Sequence, residues 1–232
     1  MRNSRKKDEI RKPRVTIDFC KNSLGSVLFE MENTRIICAA DISEDVPDHA
    51  KKNNTGWLTA EYSLLPYSTN PRQKRQLLKR DGRSVEIQRL IGRSLRCVVD
   101  LSMMENISIT VDCDVLQADG GTRAASITGA YIALKLALSK IMKKGIIHKI
   151  PIIANVAAIS AGYVDNELLL DLDYREDKRA EVDMNIVMDS TGKLVEIQGT
   201  GESSSFSFDQ LNDMMDLAKK GINELIEIQN KY

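Results

Sequence analysis

Nine short stretches of this chain alternate apolar and polar residues or run apolar between turn signals. Three longer ones repeat their apolar residues every third or fourth position. The clearest alternation is at 107–115, where Ile107, Ile109, Val111, Cys113 and Val115 are separated by Ser108, Thr110, Asp112 and Asp114, the period of a strand with one face on a core. Further strands are predicted at 15–20, 25–31, 35–40, 57–65, 152–161, 168–172, 182–188 and 194–198. Helical spacing predicts helices at 84–100, 124–143 and 208–229. In the first of these, Ile87, Leu90, Ile91, Leu95 and Val98 form the apolar stripe, and Arg89, Arg93 and Arg96 share the opposite face. Ser207 with Gln210 three residues on reads as a capping box that starts the last helix. Residues 43–55 and 66–80 are polar and read as exposed loops, the second dense in Lys and Arg. This order of elements predicts an α+β fold with mixed sheets and packed helices, in a single domain over residues 1–232.

Length and composition agree with that picture. A chain of 232 residues, 42% hydrophobic and 28% charged, can bury a substantial core without metals or disulfides. Cys20, Cys38, Cys97 and Cys113 have no zinc or redox spacing and are expected to be reduced packing residues. The charged N-terminus is no signal peptide. The apolar run at 150–164 is interrupted and short, so it reads as a buried strand, not a membrane span. A cytoplasmic protein is expected.

Net charge is zero, with 33 basic and 33 acidic residues, but the charges are segregated. Between Arg72 and Arg96 nine basic residues face two acidic ones, Asp81 and Glu86. Between Asp165 and Asp189 nine carboxylates face Arg175, Lys178 and Arg179. Such a pairing suits a site that holds phosphates and a divalent cation together, though two solvated faces would look the same.

Candidate chemistry sits on both segments. After the 107–115 strand, Gly120 and Gly121 allow a tight turn, and Thr122 and Arg123 open the following helix. The first amides of a helix lack internal partners and favour an anion, which an adjacent guanidinium can grip through two parallel bonds. Asp81-Gly82-Arg83 reads as a second glycine turn at a helix head, so Arg83 and Arg123 are expected to converge on one phosphate with Gly121 and Thr122. The bland alternative is that each arginine pairs with a nearby carboxylate. Asp177, in a polar loop, and Asp183, near the start of a strand, are expected at one end of a sheet, where two carboxylates fit Mg2+ or Mn2+. Without a cation they would repel, which shifts one toward protonation. His49 and His148 belong to no ligand-spaced cluster. Residues 203–205, three serines, lack the setting of a nucleophile elbow.

The stretches GWLTAEY (56–62), EIQRLIGRSLR (86–96), DCDVLQADGGTR (112–123), DLDY (171–174), ED (176–177), DMN (183–185) and EIQGT (196–200) occur in order over nearly the whole chain. They closely resemble the bacterial ribonuclease PH family. The resemblance implies a fold like the second domain of ribosomal protein S5. It also implies phosphate-dependent 3′ to 5′ exoribonuclease activity that trims precursor tRNA, releases nucleoside diphosphates and reverses as a nucleotidyltransferase. By matching motif, Arg83, Gly121, Thr122 and Arg123 would hold inorganic phosphate as co-substrate, and Asp177 and Asp183 would bind Mg2+ or Mn2+ and support catalysis. Arg72 and Arg75 would hold RNA in a homohexameric ring, a trimer of dimers. The family has an arginine where this chain has Tyr67, a loop before Asp81 about two residues longer, and a different N-terminus. The alternative from another class is a silent RNA-binding ring subunit, which would lack part of the phosphate or carboxylate set.

Overall fold

The computed structural model describes residues 2, 5–75 and 81–232. Lys79 and Arg80 of the basic segment, residues 76–80 of its loop and Asn3 and Ser4 of the N-terminus lie outside the described residues. Among the described residues nine strands form two sheets. The first contains β1 (Pro13–Ile17), β2 (Gly25–Met31), β3 (Thr34–Ser43), β4 (Trp57–Leu64) and β5 (Ser108–Gln117), in the order β1-β2-β3-β5-β4. All of its pairings are antiparallel except β4 with β5. The second, wholly antiparallel, contains β6 (Val156–Val164), β7 (Glu167–Leu170), β8 (Val182–Asp189) and β9 (Leu194–Gly201), in the order β7-β6-β8-β9.

Among the described residues five α-helices, with a 3-10 turn at Leu101–Met104, complete the fold: α1 (Asp48–Lys52), α2 (Gly82–Arg96), α3 (Thr122–Lys143), α4 (Tyr174–Asp177) and α5 (Phe208–Gln229). The expected α+β class with packed helices is what the chain adopts. Helix α3 is the centre of it, touching β2, β3 and β5 of one sheet and β6 and β8 of the other. It is apolar on nearly every side because it has two sheets to satisfy, and its length and composition alone would suit a membrane span. One hydrophobic cluster runs through both layers, including Phe29 and Val111 from the first sheet, Ile132 from α3, and Ile159, Ile186 and Leu225 from the second layer.

Local chemistry sets most of the boundaries. The predicted alternation in β5 holds, with Ile109, Val111, Cys113 and Val115 buried and Asp112 exposed. The capping box of Ser207 and Gln210 is formed at α5. It contributes about 1 kcal/mol, while the buried Met214, Ile222 and Leu225 contribute about 1.5–3 kcal/mol each, so the cap sets the start and packing sets the position.

Several expectations are corrected. The polar loop 43–55 contains the single turn α1, and Asp177 ends α4 instead of lying in a loop. Strand β6 begins at Val156, and Ile152 makes only an isolated bridge to Val99. Cys97 is exposed and Cys20 half-buried, so only Cys38 and Cys113 are core residues. Arg96 leaves the free face of α2: it stacks over Trp57 at 4.8 Å and donates to the Leu58 carbonyl at 2.9 Å.

The polar element of the interior is an ion pair. Arg11, 1% exposed, grips Asp171 through Nε at 2.9 Å and Nη2 at 2.6 Å, and its backbone N–H adds a third bond at 2.7 Å. The remaining guanidinium hydrogens reach the Asp119 carbonyl at 2.6 Å and Thr34 Oγ1 at 3.2 Å. Arg5 joins Asp171 at 2.9 Å, and Arg2 holds the buried Glu176 at 2.6 Å. Burial alone would raise Asp171, but the Arg11 and Arg5 guanidiniums overcome it and hold the carboxyl below its ordinary range.

Asp171 therefore stabilises the fold fully above about pH 4, where the unfolded carboxyl is ionised, and loses that contribution as pH falls through its lowered native value. Asp171→Ala is expected to cost about 3–5 kcal/mol in urea unfolding at pH 7, because Arg11 is left buried and unpaired. Asp171→Asn should flatten the acid limb of the stability curve. A cost below about 1 kcal/mol, with an unchanged acid limb, would show that the pair is not what holds this region.

Candidate active site

The turn between β5 and α3 is built on two left-handed residues, Gly120 (φ 74) and Gly121 (φ 64). A Cβ on Gly120 would lie 2.5 Å from the Leu172 carbonyl oxygen and 2.8 Å from the Tyr174 nitrogen, so the turn presses directly on the start of α4. Arg11 grips the turn from behind through the Asp119 carbonyl, and Ala118 N–H donates to the Ser68 carbonyl at 2.9 Å, tying it to the loop after β4. Gly121 caps α3 without any side-chain hydrogen bond, so the first amides of a 22-residue helix are left for an anion.

Thr122 and Arg123 are the first two residues of α3. The Tyr62 hydroxyl, buried on β4, donates to Thr122 Oγ1 at 2.9 Å, which fixes that oxygen and leaves the threonine hydrogen free to donate elsewhere. Arg123 donates to Gln198 Oε1 and, at 3.4 Å, to Glu86. Pairing with a carboxylate is thus realised for Arg123, through one long contact to a half-exposed partner.

Arg83 is exposed and makes no hydrogen bond or ion pair among the described residues. The expected glycine turn before it is not one. Asp81 caps α2 by accepting from Ser84 N–H at 2.8 Å, and Gly82 is already helical. What Arg83 and Arg123 share is a place in the helix, since each is its second residue.

The carboxylates approach from the second sheet. Asp183 is the second residue of β8, opposite Gly162 of β6, and Asp177 closes α4. Asp183 Oδ2 accepts from Asn185 at 3.3 Å, while Oδ1 is buried with no hydrogen-bond partner. Burial first, and the neighbouring Asp177 second, push the Asp183 carboxyl up to about 6. Burial also raises Asp177, against the pull of Arg83 and Arg123.

Arg72, Arg83, Gly121, Thr122, Arg123, Asp177 and Asp183 line a single cavity of about 810 Å³. Arg75 is exposed beyond it. A larger cavity of about 1050 Å³ adjoins, sharing Ala118 and Tyr174, but contains neither Arg123 nor Asp183, so the chemistry belongs to the smaller one.

No group of three or more metal-ligating side chains exists among the described residues. Two facing carboxylates with an orphaned buried oxygen still fit a hard cation such as Mg2+, which uses one or two carboxylates and keeps several waters.

Sequence reasoning missed Asn185, Glu202, Tyr174 and the support from Tyr62. Asn185 had a signal, because it lies two residues from Asp183 on the same strand face. Glu202, just past β9, had none.

Residues 9–139 match the 3′ exoribonuclease family, domain 1, and residues 154–221 match domain 2 of the same family. A ribonuclease PH of Crocosphaera subtropica is 50% identical over 227 residues, covering 98% of this chain and 95% of the relative. A ribonuclease PH of Corynebacterium glutamicum is 51% identical, covering 97% and 93%. Among solved structures, the Archaeoglobus fulgidus exosome with RNA bound to the active site superposes with a TM-score of 0.81, at 20% identity, over 97% of this chain and 91% of that one. The motifs, the fold and these full-length matches agree: the chain belongs to the 3′ exoribonuclease family, among the bacterial ribonuclease PH proteins.

Proposed function

We propose that this chain trims the 3′ end of precursor tRNA and other RNA with inorganic phosphate as the nucleophile, releasing nucleoside diphosphates and reversing as a nucleotidyltransferase. Membership of the family makes it a phosphate-dependent 3′ to 5′ exoribonuclease. The observation that supports the site assignment is one cavity with an anion cradle on one wall and paired carboxylates on the other.

Phosphate rests at the head of α3, where the free amides, Thr122 and the guanidiniums of Arg83 and Arg123 neutralise and orient it. Its oxygen attacks the last phosphodiester in line with the leaving 3′ oxygen, so no protein nucleophile is needed. Asp183, raised to about 6 by burial and by Asp177, is mostly ionised at pH 7, and the protonated minority would deliver a proton to that oxygen. Asp177 and Asp183 would hold Mg2+ or Mn2+, which supplies neutralisation of charge on the transferred phosphoryl group. Arg72 at the cavity and Arg75 beside it track the RNA backbone, so affinity falls as salt rises. A cytoplasmic homohexameric ring, a trimer of dimers, completes the reading. Its contacts would cover exposed apolar residues such as Phe19, Ile153 and Phe208.

Arg123→Ala is expected to lower phosphorolysis by at least about 100-fold while leaving RNA affinity within about twofold, measured as nucleoside diphosphate release from 3′-extended RNA. Equal loss of both would mean that Arg123 grips RNA, and equal degradation without phosphate, giving monophosphates, would point to hydrolysis. In metal-free buffer, the raised Asp183 pKa means its contribution to stability is complete below about pH 4 and lost as pH rises through about 6. Asp183→Asn should therefore gain on the parent protein between pH 4 and 8 by up to about 3 kcal/mol, from a shift of about two units. Added Mg2+ should stabilise the parent and not the variant; equal stabilisation of both would count against a metal at Asp183.

A further inference from the structure

Tyr174 opens α4 one turn before Asp177 and, among the described residues, is the sole aromatic lining the cavity that holds the phosphate cradle. Tyr174 is 52% exposed, and its hydroxyl has no partner among the described residues. Its backbone, by contrast, is fixed on every side. Gly120 packs against its nitrogen, and Asp173 accepts from Arg175 N–H and Glu176 N–H at 2.8 and 2.9 Å. Glu176 returns a bond from Asp173 N–H at 3.0 Å and is itself held by Arg2 at 2.6 Å. The result is a bare ring on a rigid mount. The cavity, about 810 Å³, falls within the size of small-ligand sites and is far larger than a tetrahedral anion needs. Something planar and apolar beside the phosphate would use that volume.

We propose that the Tyr174 ring is the surface on which the base of the RNA 3′-terminal nucleotide stacks, an inference that rests on the exoribonuclease reading above. Stacking suits an enzyme that must accept each base in turn, because every base offers a π face and no hydrogen-bond pattern is read. Tyr174, Arg123 and Asp183 line the same cavity, so base, phosphate and scissile phosphodiester would share it. The ring also borders the adjoining cavity, so it stands on the ridge between the two.

The test compares binding of 5′-labelled RNA ending in an ordinary nucleotide with RNA ending in an abasic one, by fluorescence anisotropy without phosphate. Tyr174→Ala is expected to raise Kd for the ordinary RNA by about 5- to 150-fold and for the abasic RNA by less than about twofold. Tyr174→Phe should match the parent on both. Abasic affinity serves as the control for folding. Equal loss on both RNAs, no loss on either, or a Phe variant as weak as the Ala one overturns the assignment. Phosphate-dependent diphosphate release by the parent protein is measured separately, so failure of the activity and failure of the stacking surface are distinguishable.

Discussion

The buried contact between Arg11 and Asp171 is the constraint around which the site is arranged. Two opposite charges, almost fully removed from water, persist only because each finds several hydrogen-bond partners, and those partners come from distant parts of the chain. Arg11 lies between the N-terminal segment and β1, Asp171 just after β7, and Asp119 in the turn after β5. The pair thus ties the Gly120-Gly121 turn of the first sheet to the short helix that carries Asp177. Asp171 itself adopts a left-handed backbone (φ 54), a conformation uncommon for a non-glycine residue and retained here where its carboxylate must reach inward. Arg2 and Arg5 extend the same arrangement to Glu176, so the acidic segment is held by arginines as much as by packing.

The two halves of the site have different electrostatic characters because they come from different layers. Basic groups stand at the heads of α2 and α3, where helix dipoles already favour an anion. Carboxylates stand on β8 and α4, where burial raises the proton affinity of both, reinforced at Asp183 by Asp177 and at Asp177 by Glu202 and Asp173. Helix α3 sits between the sheets, and its N-terminus emerges at the cavity where both layers end. Part of the segregation of charge visible along the sequence, Arg72 and Arg83 against Asp177 and Asp183, is brought together in one cleft.

Much of the fold was legible because it is written in local periods. Strand β2 has the bounds its apolar run and flanking turn signals predict, and α5 starts where its capping box says it should. Single-turn helices escaped, since neither α1 nor α4 is long enough to show a period. Gly82 misled because a glycine before an arginine looks alike whether it turns the chain or begins a helix. Arg11 was invisible for a deeper reason: its partner lies 160 residues away, and nothing nearby distinguishes a buried arginine from a solvated one. Arg83, Gly121, Thr122, Arg123, Asp177 and Asp183 were legible as helix heads and paired carboxylates, and Arg72 and Arg75 only by resemblance. Their supports, Tyr62 behind Thr122 and Asn185 beside Asp183, needed the geometry.

The hydrogen bond from Ala118 to Ser68 joins the loop after β4 to the turn after β5, beyond the last paired residues Leu64 and Val115. It makes the loop carrying Arg72 and the turn carrying Gly121 one mechanical unit. On the proposed reading, grip on the polymer and seat of the nucleophile share a single frame of reference. If RNA is shortened by one nucleotide per cycle in that frame, advance between cycles is a slide of the strand over a stationary ruler, and step length is set by the spacing of nucleotides and not by a stroke of the protein.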